Sequence, residues 1–536
     1  MNSYEMRDLG GGTVSGLLTA RASAAPNQEA IVFGDSVMTY GELNDAATRC
    51  ASALLALGLT PGDSVGLLVS NRPEYIVAHF ALSRAGLRSV PINTAYKGAF
   101  LAFSLDHSDA KALITEARLA DPVADLENLP AAVRSVVYID GIPDRLPSGI
   151  QSVDWSATIE SADLTRPLPD VQPSDIAVIA YTSGTTGRSK GVLSPALQQV
   201  VMAREVAVAM GTTTRDRLYT VLPLFHGAAA VASCVHAIYA GATICLSPRF
   251  SASKFWDDIR QTGATQFNAL GSIIPMLLAQ PESPHDRDHS VELVFAAPAP
   301  PEVLYRFEAR FGVRIIEGYG ATEIKNVMYS PVEGRKVGSM GKPTASSLIE
   351  IHDEKGQSAG AGVVGEIVYR PKQPNIMFTG YHRDPQATLN TLGDLWFHTG
   401  DLGYVDDEGF FYFVDRKKDA LRRKGENISS QEVEAVLMLF AGIHDAAAIA
   451  VHSDLGEDEV LAVVQVEDPE ALDFEALFRH CDQVMPHFMV PRYFRASETL
   501  PRTPTGKVQK VTLRAEGVTE DSWDSLSAGL KPTRHL

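Results

Sequence analysis

Cysteine is scarce in this chain of 536 residues, with only Cys50, Cys234, Cys245 and Cys481 present, scattered and without a CxxC or ligand-spaced pair. That spacing excludes a disulfide framework and a structural zinc site, and it fits a reducing, cytoplasmic setting. Each thiol is expected as a small buried hydrophobe. Positive charge is the minority: 47 Lys and Arg stand against 65 Asp and Glu, a net charge of −18. Such a chain is not built for nonspecific binding to nucleic acid or an anionic membrane, and any phosphate site in it must be locally basic. No charge-free apolar run reaches membrane-spanning length. The N-terminus carries Glu5 and Asp8 and has no long apolar core, so it is not a secretory signal. Arg534-His535-Leu536 lacks the small leading residue of a peroxisomal tripeptide. Internal repeats, coiled-coil heptads and low-complexity tracts are also missing.

What remains is the composition of an ordinary globular protein, 45% hydrophobic and 21% charged. The length calls for two or more domains. Thr39 and Glu42 have capping-box spacing, and Leu43, Ala46, Ala47, Cys50, Leu54 and Leu55 follow on one helical face. Gly58 and Pro61-Gly62 stop that helix. Val65–Val69 and Ser89–Ile92 read as strands around a helix opened by Pro73, which implies a parallel crossover. Residues 100–170, with several prolines, read as more irregular. Further on, helices near 196–210, 252–262, 274–280 and 302–311 alternate with strands near 220–222, 243–246, 266–269, 291–296 and 313–317. From about 345 the texture changes to short strands, with Gly403–Val405 and Phe410–Val414 flanking a turn at Asp406-Asp407-Glu408-Gly409. Beyond the charged run Asp415-Arg416-Lys417-Lys418-Asp419 lies a compact α+β pattern, and the boundary is placed there: residues 1–416 as a large domain, 417–536 as a small one.

The chemistry gathers in short polar motifs. Ile176–Tyr181 reads as a buried strand running into Thr182-Ser183-Gly184-Thr185-Thr186-Gly187-Arg188-Ser189-Lys190-Gly191. Glycines let backbone N–H groups approach an anion, hydroxyls add donors and lysine adds a point charge. A Walker A loop requires adjacent Gly and Lys followed by Ser or Thr, whereas Arg188 and Ser189 separate Gly187 from Lys190 in this loop. The string alone also reads as a polar surface turn. In Glu317-Gly318-Tyr319-Gly320-Ala321-Thr322-Glu323, glycines again permit close approach, Tyr319 offers a stacking face, Thr322 a donor and Glu323 a hard oxygen ligand suited to Mg²⁺. Asp401, in Trp396–Gly403, can accept hydrogen bonds from paired hydroxyls. Lys507 follows a Pro-Thr-Gly turn and carries charge that stabilises a phosphoryl transition state when delivered into a dry site.

These motifs, in this order from the N-terminal helix to about residue 512, resemble the adenylate-forming superfamily of acyl-CoA synthetases, stand-alone adenylation domains and luciferases. Ser251–Trp256 and Phe311–Ile316 look most like its crotonobetaine/carnitine-CoA ligase branch. The resemblance implies a large α/β N-terminal domain of parallel and mixed sheets flanked by helices, with a β-subdomain, and a small mobile α+β C-terminal domain. It implies ATP, Mg²⁺ and coenzyme A, with a small carboxylic acid activated as acyl-AMP and passed to CoA. Thr182–Gly187, Lys190, Glu317–Thr322, Asp401, Phe413, Arg416 and Lys507 would contact ATP, with Thr186 and Glu323 on the metal. Ala297-Pro298-Ala299 would wall the adenine, although Phe295 stands where relatives commonly have glycine. His226, in Pro223–Gly227, would orient the carboxylate, and Gly271, Ser272, Phe295 and Gly318 would line the acyl pocket. Thr182, Lys190, His226, Glu323 and Lys507 form the implied catalytic set. Lys418 would be the hinge, and Arg422, Lys424, Gly425, Glu426 and Asn427 would form a loop beside the CoA tunnel. Lys325, just beyond the Glu323 motif, could pair with a second carboxylate on the substrate, but is expected to be solvated or on the pocket rim. A homodimer is compatible with this plan. Two alternatives stay open: an adenylating enzyme that hands its acyl group to an amine or a separate carrier protein, and a catalytically silent nucleotide-binding protein.

Overall fold

The computed structural model describes residues 10–126, 129–182, 189–269, 273–296, 301–417, 421–423, 426–428, 430–452, 458–485, 487, 489–503 and 506–532. The chain divides into two compact units: residues 1–182, 190–349 and 369–397 in one, and 183–189, 350–368 and 398–536 in the other.

Two sheets organise the first unit. Seven strands run in the order Gln151–Asp154, Ser135–Ile139, Ala110–Glu116, Ser64–Leu68, Arg88–Pro91, Ile176–Tyr181 and Gly191–Pro195. All neighbours are parallel except the last pair. The crossover expected between the strands near 65 and 89 is therefore present, on a helix that begins with Pro73 and ends at Arg84. A nine-stranded sheet runs Lys342–Pro343, Lys325–Tyr329, Arg314–Ala321, Leu293–Ala296, Gln266–Ala269, Arg217–Thr220, Thr243–Leu246, Glu29–Phe33 and Ser36–Thr39. Its middle is parallel and its edges are antiparallel.

The capping box forms as read. Thr39 Oγ1 accepts from the Glu42 N–H, the Glu42 carboxylate accepts from the Thr39 N–H, and the helix Tyr40–Ala56 buries Leu43, Ala47, Cys50 and Leu54. Residues 100–170 depart from expectation. They supply most of the helix Gly98–His107 and three of the seven strands of that sheet. Pro130, Pro143 and Pro147 fall in the connections. Ser135–Ile139 is buried along its whole length, so it shows a short apolar run rather than the alternation that marks a half-exposed strand.

The short strands after 345 form a five-stranded sheet. In the second unit, Phe411–Arg416 pairs antiparallel with the preceding strand, and Asp401 stands opposite Arg416. A four-stranded sheet of Asp445–His452, Asp458–Gln465, Tyr493–Ser497 and Trp523–Asp524 carries helices Ser430–Leu437 and Phe474–Val484. Their shared core includes Val433, Leu437, Leu477, Phe478 and Phe494. The basic run 422–427, read as a loop, is instead a hairpin of Leu421–Arg423 with Glu426–Ile428. All four cysteines are free and buried. Among the described residues no helix is long and apolar enough to cross a membrane, and no cluster of three or more His, Cys, Asp or Glu is arranged for a metal.

Candidate active site

In the first unit the strand Ile176–Tyr181 delivers Thr182, whose N–H donates to the Lys190 carbonyl at 3.1 Å. The Lys190 N–H returns a bond to Thr182 Oγ1 at 3.4 Å. The two ends of the phosphate-type loop are thereby tied. Its interior, Ser183, Gly184, Thr185, Thr186 and Gly187, lies outside the described residues, as do Gly271, Ser272, Ala297, Pro298, Ala299, Lys418, Lys424 and Gly425.

Glu323 sits in the turn that joins Arg314–Ala321 to Lys325–Tyr329. Its carbonyl accepts from the Phe378 N–H and from Gln198 Nε2, each at 2.8 Å. Its Oε1 accepts from the Tyr381 hydroxyl at 2.7 Å. The Lys190 ammonium lies 4.6 Å above the Tyr381 ring. Tyr381 thus touches both groups, and burial followed by the Glu323 charge raises its pKa above the usual phenol range. Sequence reasoning missed it, because a tyrosine in Phe378–Tyr381 looks like ordinary core.

Glu317 is 0% exposed, and its Oε2 accepts from the Gly338 N–H at 2.9 Å. Tyr319, 8% exposed, stands opposite Met328 and presents little open face in this form. Gly318 has no room for a side chain: a Cβ there would meet Phe295 Cε2 at 2.7 Å. Phe295, 4% exposed, also packs on the Tyr329 ring at 5.5 Å between centroids. At Gly320 a Cβ would strike the Lys325 carbonyl.

Lys325 is not solvated. It is 9% exposed and adopts φ +60°, a left-handed conformation that a non-glycine residue adopts only under local strain. Burial lowers its pKa to about 8 against the attraction of Glu323.

His226 lies half-buried at the start of a short helix. Its loop is clamped by Asn71, a buried side chain that sequence reasoning missed. Asn71 Nδ2 donates to the carbonyls of Leu222 at 3.0 Å and Ser247 at 3.1 Å, and Oδ1 accepts from the Leu224 N–H at 2.9 Å.

The second unit gathers the other candidates. Arg416 Nε lies 3.6 Å from Asp401 Oδ1. Phe413, partly buried, faces Gly403 across the same hairpin. Lys507 is reached by solvent, yet desolvation lowers its pKa, repulsion from Arg416 adds to the shift and Asp401 opposes it. A tight turn presents this lysine: Thr503 donates its N–H to the Lys507 carbonyl at 2.7 Å, and Thr503 Oγ1 accepts from the Lys507 N–H at 3.1 Å. Glu366, unremarked in the sequence, organises the ribose-type motif. It accepts from the Gly400 N–H at 3.1 Å and from Lys417 Nζ at 2.9 Å, and it lies 3.2 Å from His398 Nδ1. Arg422 and Asn427 are direct backbone partners across their hairpin, and Glu426 pairs with Arg423.

The model of AMP-binding enzymes matches residues 18–382, and that of the AMP-binding enzyme C-terminal domain matches 432–507. The chain belongs to the AMP-binding enzyme family. A crotonobetaine/carnitine–CoA ligase of Citrobacter koseri is 30% identical over 515 residues, 94% of this chain and 99% of that protein. ATP-bound MatB from Rhodopseudomonas palustris superposes with a TM-score of 0.83 at 25% identity, covering 94% of this chain and 98% of that one. O-succinylbenzoate coenzyme A synthetase (MenE) of Bacillus subtilis, in complex with AMP, gives 0.80 at 26% identity over 93% of this chain and 98% of that one.

Proposed function

We propose that this chain is an AMP-forming acid–CoA ligase. It activates a small carboxylic acid with ATP as acyl-AMP, releases pyrophosphate, and transfers the acyl group to coenzyme A with release of AMP. The observation that carries this reading is the length of the match to CoA ligases, 94% of this chain against 99% of the relative.

A carboxylate is a poor acyl donor because oxide would have to leave. Attack of its oxygen on the α-phosphorus displaces pyrophosphate and converts the carboxyl into a mixed anhydride whose leaving group is AMP. Negative charge builds on the phosphoryl oxygens in that step, and preorganised cations stabilise it without reorganising. Lys190 serves the phosphates, and Lys507 serves the α-phosphate and the carboxylate. Asp401 accepts from the ribose hydroxyls, with Arg416 beside it. His226 orients the acid, and the Phe295–Gly318 contact shapes the acyl pocket.

The Glu323 carboxylate has one oxygen engaged by Tyr381 and a second that suits a hard cation, so with Thr186 it would hold Mg²⁺, which when bound offsets phosphate charge. A hinge at Lys418 would account for two successive reactions in one chain: the small domain turns, Lys507 withdraws, and the thiol gains access past the hairpin around Arg422 and Asn427. The free buried cysteines support a cytoplasmic setting.

A mass-spectrometric screen of a carboxylic-acid panel with ATP, Mg²⁺ and CoA tests this function. A thioester of the expected mass with equimolar AMP is the expected result. Acid-dependent AMP release with no thioester for any acid, or ADP as product, overturns it.

A further inference from the structure

Lys190 and Glu323 carry opposite charges and lie in different motifs, yet they meet on one side chain rather than on each other. Tyr381 holds the cation with its ring face, 4.6 Å from Nζ, and the anion with its hydroxyl, at 2.7 Å. A direct Lys190–Glu323 ion pair would quench both groups. An aromatic face attracts an ammonium without neutralising it. A phenol O–H donates to one carboxylate oxygen and leaves the charge in place. Tyrosine does both at once with an uncharged body, its ring face to the ammonium and its hydroxyl to the carboxylate.

The surroundings fix this tyrosine. It is 7% exposed. Its segment runs along the strand that follows the phosphate-type loop: Thr379 N–H donates to the Leu193 carbonyl at 2.9 Å, Leu193 N–H to the Gly380 carbonyl at 3.0 Å, and His382 N–H to the Gly191 carbonyl at 2.7 Å. The Tyr381 N–H donates to Thr388 Oγ1 at 2.8 Å. Thr388 belongs to the helix Pro385–Thr391, which Asp384 caps by accepting from the Ala387 N–H at 2.8 Å. The backbone on both sides of the ring is therefore tied to the strand that carries Lys190 into the fold.

We propose that Tyr381 is a positioning residue for adenylation, holding Lys190 and Glu323 apart and oriented toward the triphosphate. This rests on the reading that those two groups serve ATP. Tyr381→Phe keeps the ring and loses the hydroxyl, so it releases Glu323 alone. Tyr381→Leu releases both.

The test measures acid-dependent ATP–pyrophosphate exchange, thioester formation from preformed acyl-AMP, and calorimetric binding of ATP in EDTA. For Tyr381→Phe the expected results are a loss of about tenfold in the exchange kcat, a several-fold higher apparent Mg²⁺ requirement, and unchanged ATP binding in EDTA. Tyr381→Leu is expected to weaken ATP binding in EDTA as well, by about threefold or more. Thioester formation from acyl-AMP stays at the wild-type rate in both, a split that a merely structural residue would not produce. Wild-type exchange in Tyr381→Phe, or an equal fall in both half-reactions, overturns the proposal. Should the leucine variant fail to fold, the phenylalanine variant decides alone. The parallel variant Lys190→Ala separates the two layers: if its exchange is undiminished, the assignment of Lys190 to ATP fails, and the proposal with it.

Discussion

Replacing Lys325 by methionine removes a buried charge and keeps a chain of similar length. The drop from the ordinary 10.5 to about 8, at about 1.4 kcal/mol for each tenfold change in proton affinity, makes the ammonium about 3 kcal/mol less favourable in the folded protein than in the unfolded chain. Below pH 8 both states are protonated and the folded protein bears this penalty in full. Between 8 and 10.5 the folded state sheds its proton while the unfolded chain still holds one. The unfolded state then binds more protons, so wild-type stability rises with pH across that window. Above it both states are neutral and the penalty is gone. Methionine has no such dependence, and the strained φ of +60° at this position is common to both. Lys325→Met is therefore expected to be more stable than wild type at pH 7 by about 2–3 kcal/mol, an advantage that shrinks toward zero by pH 10. Urea unfolding followed by tryptophan fluorescence at the two pH values measures the difference. An advantage that is the same at pH 7 and pH 10, or a methionine variant less stable at pH 7, refutes the argument.

Lys507→Ala is expected to abolish acid-dependent ATP–pyrophosphate exchange while leaving thiol attack on preformed acyl-AMP largely intact; equal loss in both assays contradicts its assignment. Because its pKa is lowered, the charged form is lost at a pH below the usual lysine range, so the alkaline limb of adenylation should move upward in Lys507→Arg; an unmoved limb counts against a titrating Lys507. Lys418→Pro, by stiffening the hinge, should harm thioester formation more than adenylation, and single-turnover rates of the two steps would reveal the reverse order. Gly318→Ala places a Cβ 2.7 Å from the Phe295 ring and should destabilise by about 1–3 kcal/mol; Phe295→Leu in the same chain should recover most of this, and a double variant no better than the single one denies the contact.

How legible the molecule is depends on how local each signal is. The capping box at Thr39 and Glu42, the proline start at Pro73 and the turn at Asp406–Gly409 each depend on a few neighbouring residues, and each is formed. Residues 100–170 mislead because prolines in the connections draw attention away from strands whose apolar runs are short and without period. The candidate side chains are visible as motifs, since phosphate chemistry demands glycine, hydroxyl and lysine in sequence. Their supports are not. Asn71 reaches Leu222 and Ser247, Tyr381 reaches Glu323, and Glu366 reaches Gly400. Each contact joins residues far apart in the chain through a residue type found in any core or surface. Lys325 misleads for a related reason: exposure is set by what packs over the turn that follows Glu323, and no neighbour in sequence announces it.

The most direct test of the central chemistry follows an oxygen atom. With the carboxyl group of an accepted acid labelled with ¹⁸O, attack on the α-phosphorus and later cleavage by the thiol must leave one labelled oxygen in AMP. Mass spectrometry of the nucleotide after turnover with CoA is expected to show AMP heavier by one ¹⁸O and pyrophosphate without label. Unlabelled AMP together with a formed thioester would contradict an acyl-adenylate intermediate, and with it the two-step route from acid to thioester.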